Sequence, residues 1–456
     1  METNYKEGTT YTNPARYTEG AIKEKKMLSD INKKPFLKKT ASYVKLSGPG
    51  FLGAAMTLGA GSFASSIVLG ASYGYAMLWI PIYSFAFGLF MLALATRFVT
   101  GSEMPIIVAQ DKYHGKFFGS FSTGIVACFL GCVIYSFGQY ALGADAVEQI
   151  FTTIGYGIPR GSGWMLILGI SAPLSLLYSR GGDGAKFVKI VENIMKSLIV
   201  LMIAVFALVV GTTGINIPAA TRGILIPTLP SGIDGIIMMI ASLTAVLGVM
   251  DWVLFNNGMF NRGYSEEHET LGRFDAVFGG LIPVALVLSL VSIAFAEAFS
   301  GNPSAPTTSS ELASALMTIV PSIWIKVGFY VGVVSLIITT MIGLSILCVS
   351  SFCQSTGLPQ DSTKWYYKAL LMAPHVGVMG AYFGKPVAVV IFVAAMQSCL
   401  NWVSGNSWYL LGNDQRFLGN KIIKSRFFNI GICVTLSILN MVFITFVLSK
   451  LGAWPA

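Results

Sequence analysis

The chain has 456 residues, of which 54% are apolar and 11% charged, against about 25% charged in a soluble domain. Apolar runs of about 20 residues, enough to cross a bilayer, recur between short polar turns, and this excludes a soluble globular fold. The net charge of +9 comes largely from the leader and from the loops of one side, so it reads as membrane topology and not as a nucleic-acid surface.

In chain order, residues 1–45 form a polar, basic leader with Lys23, Lys25, Lys26, Lys33, Lys34, Lys38 and Lys39. It shows no apolar signal region and reads as a flexible cytoplasmic tail. Eleven spans follow, near 46–72, 77–97, 118–147, 163–179, 187–211, 233–260, 274–299, 323–352, 366–383, 386–411 and 426–449. Backbone groups in lipid must bond within their own segment, so these are helices. With the leader inside, one set of loops holds Lys112, Lys116, Arg180, Lys186, Arg262, Arg273, Lys364, Lys368, Lys421 and Lys424, while the other holds isolated basics such as Arg160, Arg222 and Lys385. Under the positive-inside rule the N-terminus is cytoplasmic and, with an odd number of spans, the C-terminus extracellular.

Two spans carry features a continuous helix avoids. Span one reads Met56-Thr57-Leu58-Gly59-Ala60-Gly61-Ser62 and span six Gly248-Val249-Met250-Asp251-Trp252. Breaks at matching positions in spans 1–5 (46–211) and 6–10 (233–411), with 426–449 as an additional eleventh span, point to a transporter site built on inverted repeats. Unwound backbone there would offer carbonyl oxygens to a hard cation. Glycine pairs also serve plain helix packing. A mid-span carboxylate is harder to explain that way, because inserting it costs roughly 2.5–3.5 kcal/mol, so Asp251 reads as functional.

Gln397 and Asn401 lie one turn apart in span ten, and Asn256 and Asn257 follow the second break. Lys189 and Glu192, three residues apart, suit a structural ion pair. His114 and His268 fall in loops, and His375 in span nine reads as packing. The six cysteines (Cys128, Cys132, Cys348, Cys353, Cys399 and Cys433) lack zinc-site or disulfide spacing and read as small packing residues.

The opening of span one is specific. Gly48-Pro49-Gly50-Phe51-Leu52, then Gly59-Ala60-Gly61-Ser62-Phe63-Ala64, then Gly70-Ala71-Ser72-Tyr73-Gly74-Tyr75-Ala76-Met77-Leu78-Trp79 resembles the start of the Nramp family of divalent metal transporters, where the same frame reads GPGFL, a DPGN break and GA-x-F/Y-GY-x-LLW. The resemblance implies an all-α polytopic fold of the LeuT type, a 5+5 inverted repeat with unwound helices 1 and 6. It places Gly59 where the family has its metal-binding Asp and Ser62 where it has Asn. In span six the family's Met-Pro-His falls either on Val249 and Asp251, the preferred register, or one residue later with Met250 at the methionine. The third span, which carries proton-passing acids in the family, reads Ser136-Phe137-Gly138-Gln139-Tyr140-Ala141 here.

These departures imply an enlarged, oxygen-lined metal site at Gly59, Ser62, Gly248, Val249, Asp251 and Gln397, without a thioether. Such a site suits Mg²⁺, which keeps several waters, with Mn²⁺ also accepted, as in the Nramp-related magnesium transporters. Loss of the span-three acids implies uptake without obligatory proton coupling. The expectation is a secondary transporter of a prokaryotic plasma membrane, with the metal as substrate and no resident cofactor, no nucleic-acid partner and no obligatory protein partner. The alternatives are a proton-coupled Mn²⁺/Fe²⁺ carrier and an amino-acid or other organic-substrate permease on the same fold. An intramembrane enzyme is disfavoured, because there is no HExxH and no pair of intramembrane aspartates.

Overall fold

The computed structural model describes residues 13–179, 185–230, 247–299 and 323–450, with short pieces between 235 and 244 and between 308 and 317. Among the described residues every regular element is helical. Among the described residues seven helices are long and apolar enough to cross a membrane, or up to nine spans if each of two bent pairs counts as one. The segment Trp164–Ser179, at 16 residues with Pro173 inside it, is shorter, about 24 Å at 1.5 Å per residue.

Span nine departs from the expected single helix. Only Trp365–Met372 is α-helical, and Ala373–Tyr382 winds as a 3₁₀ helix. Pro374 removes a backbone donor, and Gly377 and Gly380 let the segment lie close to Ser136 and Phe137, where an added Cβ would clash with the Ser136 hydroxyl at 2.2 Å and the Phe137 carbonyl at 2.1 Å. Eight α residues and ten 3₁₀ residues still extend about 32 Å, the depth of the hydrocarbon core.

The leader also departs from its expected form. Glu19–Asn32 and Phe36–Leu46 are helices that bury Leu28, Ile31 and Tyr43. Ahead of them, Arg16 donates to the carbonyls of Val99 (2.6 Å), Ser102 (2.7 Å) and Tyr264 (2.9 Å). The Asn13 side-chain amide donates to Phe260 O at 2.9 Å, and Lys25 pairs with Glu267. The lysines occupy the outward faces of short amphipathic helices, so composition alone gave the leader the look of a tail.

Span one starts at this leader face. Its inner helix, Pro49–Thr57, has its first backbone N–H groups bound by a carboxylate from another span: Asp275 Oδ2 accepts from Gly48 N (3.3 Å) and Gly50 N (2.7 Å). At the opposite face Tyr75 donates to Glu297 Oε1 at 2.5 Å. Spans one and seven therefore run parallel, joined at both ends.

Candidate metal site

Span one breaks between Pro49–Thr57 and Ala60–Tyr73, with a bend of 54°. Gly59 at the break is extended (φ −74°, ψ 174°), a conformation open to any residue, so the reason for glycine is space. A Cβ on Gly59 would stand 2.7 Å from the Tyr135 hydroxyl and 3.1 Å from Gln139 Nε2. Gln139 Oε1 in turn accepts from Ala60 N at 3.0 Å, capping the outer half-helix. The volume expected to admit extra waters is thus filled by side chains of span three.

Ser62 does not face the site. It is fully buried, and its hydroxyl turns back onto Thr57 O (2.7 Å) at the break and Gly59 O (3.0 Å), which also accepts from Phe63 N. Here Ser62 is a strap across the break. Gly248 opens the second broken helix, Val249–Asn261, and its carbonyl accepts from Asp251 N and Trp252 N. A Cβ on it would meet Asp251 Oδ2 at 2.8 Å. Val249 is fully buried, away from the cavity.

Between the breaks lies a cavity of about 20 Å³, lined by Met56, Thr57, Tyr135, Thr244, Met250, Asp251, Ala394, Gln397 and Ser398. That holds a single water-sized particle. Of the residues expected at the site, Asp251 and Gln397 line this cavity, and Gly59, Ser62, Gly248 and Val249 do not. Thr57 Oγ1 donates to Asp251 Oδ1 at 2.9 Å. Span ten has a bend of its own, 42° between Pro386–Cys399 and Trp402–Gly412, close behind Gln397, whose amide reaches Asn401 Oδ1 at 3.4 Å. Thr244 and Ser398 share a hydroxyl–hydroxyl bond of 2.5 Å.

In span six Met250 lines the cavity beside Thr244 and Asp251, so the cavity does contain a thioether. Of the two registers read from the sequence, the one with Val249 at the ligand position puts a residue there that does not line this cavity, and the one-residue shift puts Met250 there, which does. The sequence left this open: on the helix starting at Val249, either Val249 or Met250 can point inward beside Asp251. Among the described residues no group of three or more His, Cys, Asp or Glu could hold an ion together, and Asp251 is the cavity's single carboxylate.

The other polar candidates have structural partners. Asn256 donates to Ala95 O, and Asn257 donates to Ser350 while accepting from Gln354. His375 is bonded to the Tyr140 hydroxyl at 2.6 Å. The side chains of Lys189 and Glu192 lie outside the described residues, as do Arg180 and Asp183.

The family model described as "natural resistance-associated macrophage protein-like" (Nramp) matches residues 50–449. The chain belongs to the Nramp family. It is 24% identical over 296 residues to the divalent metal cation transporter MntH of Klebsiella pneumoniae subsp. pneumoniae, a match covering 62% of this chain and 65% of that protein. The corresponding figures for MntH of Yersinia pestis are 23%, 60% and 63%. The matched region thus spans a little under two thirds of these Nramp relatives. In three dimensions the chain is similar to a manganese transporter of Eremococcus coleocola, with TM-score 0.69 at 16% identity over 93% of this chain and 90% of that one. A nucleobase-cation-symport-1 family transporter follows with TM-score 0.54 at 15% identity, covering 88% and 89%. The fold is therefore the all-α, LeuT-type arrangement expected from the sequence, and this Nramp chain is an integral multi-pass membrane protein.

Proposed function

We propose that this chain carries divalent metal ions across the bilayer by alternating access, binding one ion in the cavity between the breaks of spans one and six. The observation that carries the reading is the partly buried Asp251 carboxylate, which faces a particle-sized cavity together with the Thr57 hydroxyl, the Gln397 amide and the Met250 thioether. A carboxylate in that setting needs a cation or a hydrogen-bond partner, and a divalent ion meets oxygen and sulfur donors there at once. The names of the MntH relatives and of the manganese transporter agree with this reading.

Mn²⁺ suits the cavity best. Mg²⁺ dehydrates reluctantly and keeps several waters, for which about 20 Å³ leaves little room. The thioether also adds a softer donor than Mg²⁺ favours. Mg²⁺ is the second reading, favoured by the oxygen atoms that dominate the lining. Proton coupling is not required: span three offers Gln139 and Tyr135 toward the break and no acid, while Glu148 near its far end accepts from Gly161 N at 2.6 Å. The leader face is then cytoplasmic, and an inside-negative potential contributes about 2.3 kcal/mol per charge per 100 mV, doubled for a divalent ion.

The test is flux into liposomes carrying the purified chain, with Mn²⁺, Mg²⁺ and Ca²⁺ compared and internal pH recorded. Mn²⁺ uptake exceeding Mg²⁺ uptake, without acidification, is the expected result. Acidification in step with metal uptake would overturn the uncoupled mechanism, and no flux of any of the three would overturn the carrier reading.

A further inference from the structure

The transport reading leaves unused a group of sulfurs beside the cavity. Cys128 and Cys132, one turn apart in the third span, and Cys348 in Ile323–Thr356 are all free and buried. Cys132 Sγ lies 3.8 Å from Met250 Sδ, and Met250 lines the cavity beside Asp251 and Gln397. A weak thiol–thioether contact would account for this spacing as packing alone. The same distance also has a coordination meaning. Two sulfurs bound to one tetrahedral ion at about 2.3 Å, the zinc–thiolate length, stand about 3.8 Å apart, and the longer bonds of a larger soft ion require only a slight widening of the pair.

Met250 is held for that role. Its sulfur is seated against the third span at Gly131, where an added Cβ would come within 3.1 Å of it. We propose that Cys132 and Met250 form a two-sulfur clamp at the edge of the transport cavity, which captures soft divalent cations such as Cd²⁺ with Asp251 as the second anionic ligand. This rests on the cavity being the transport site and adds a residue that decides between passage and capture.

The balance is simple. Cd²⁺ binding forms a sulfur–metal bond as the Cys132 S–H bond breaks, and the proton leaves through the cavity to water, as thiol ligation requires. The bound thiolate and the Asp251 carboxylate then cancel the charge of the ion inside the membrane. Hard ions gain little from sulfur, leave the thiol protonated and move on. Among the described residues no three His, Cys, Asp or Glu converge, so the clamp uses one thiol, and Cys128 and Cys348 stand outside it.

The experiment titrates Cd²⁺ into the purified full chain in detergent and reads the ultraviolet charge-transfer band of a cadmium–thiolate bond. Wild type, Cys132→Ser, Cys132→Ala, Cys128→Ser, Met250→Leu and Cys433→Ser are compared, Cys433 being exposed on the last span. The cavity-associated band is expected to vanish in both Cys132 variants and persist in Cys128→Ser and Cys433→Ser, with affinity reduced about tenfold or more in Met250→Leu. In liposomes, the Cd²⁺ concentration that halves Mn²⁺ flux should rise about tenfold or more in Cys132→Ser. A band that survives loss of Cys132, or that wild type lacks, overturns the clamp. Because the band needs no transport, a chain that moves no metal but shows it would sink the carrier reading alone. Metal flux with unaltered Cd²⁺ sensitivity in Cys132→Ser would sink the clamp alone.

Discussion

Thr57 on the last turn of the inner half of span one donates its hydroxyl to Asp251 on the first turn of the second broken helix, 2.9 Å away. The pair lines two cavities at once: the candidate metal cavity, and a second of about 20 Å³ toward the leader face bounded by Gly50, Gly53, Leu92 and Phe255. One hydrogen bond thus ties the two broken helices together and stands between the cavity and the leader face. On the proposed transport reading, an ion leaving toward that face would part Thr57 from Asp251 and compete for the same carboxylate oxygen.

Asp251→Asn should therefore lower Mn²⁺ flux by at least about tenfold, since it removes the single anionic ligand while keeping a hydrogen bond to Thr57; charge-assisted contacts contribute about 1.5–3 kcal/mol. Initial rates in liposomes check this against the amount of folded protein recovered. Wild-type rates in a folded Asp251→Asn chain would remove Asp251 from the site.

Gly59→Ala should cost about 1–3 kcal/mol of stability, because the new methyl group would meet the Tyr135 hydroxyl at 2.7 Å. Thermal melting in detergent reads the loss. Gly59→Ala combined with Tyr135→Phe should recover part of it, as the obstructing oxygen is gone. A double variant no more stable than Gly59→Ala would show that the strain lies elsewhere.

Asp275→Asn should loosen the leader end of span one. Asp275 Oδ2 is the acceptor for the N–H groups of Gly48 and Gly50; an amide accepts more weakly and brings donors that find none of these groups as partners. A loss of about 1–3 kcal/mol follows, together with faster hydrogen exchange at residues 48–52. Unchanged exchange there would mean that Arg262, which donates to Leu46 O, holds the helix end alone.

The pH response of the leader face should come in part from Asp414, which lies in the connection between the tenth and eleventh spans. A hydrogen bond from Arg416 is the main reason its carboxyl sits at about 2, below the usual carboxylate value near 3.9. A depressed native value contributes stability that is present above the unfolded value and is lost as pH falls from about 4 through 2. Melting temperature followed over that window should fall more steeply in wild type than in Asp414→Asn. Identical slopes would assign no part of the acid response to this carboxylate.

Hydropathy determined most of the fold, because a bilayer demands long apolar helices whatever their neighbours are. The two breaks, the mid-span Asp251 carboxylate and the Gln397 amide were also legible, each being a local exception to that demand. Tertiary structure decided what each exception is for. Gly59 reads as freed space in the sequence, but Tyr135 and Gln139, some eighty residues away, occupy that space. Ser62 reads as a ligand, but it turns onto the backbone because the break leaves the Thr57 and Gly59 carbonyls within its reach.

The choice between Val249 and Met250 is a rotation of one residue, about 100° around a helix, and no local pattern fixes a rotation in a helix buried on every side. The lysine-rich leader reads as solvated because its charges outnumber its few apolar residues. Only the folded chain shows Arg16 and Asn13 docked on backbone carbonyls of two distant segments, at Val99 and Ser102 and at Phe260 and Tyr264. Composition and periodicity settle what must be buried in lipid, whereas which side chains meet across the breaks depends on packing between segments far apart in the chain.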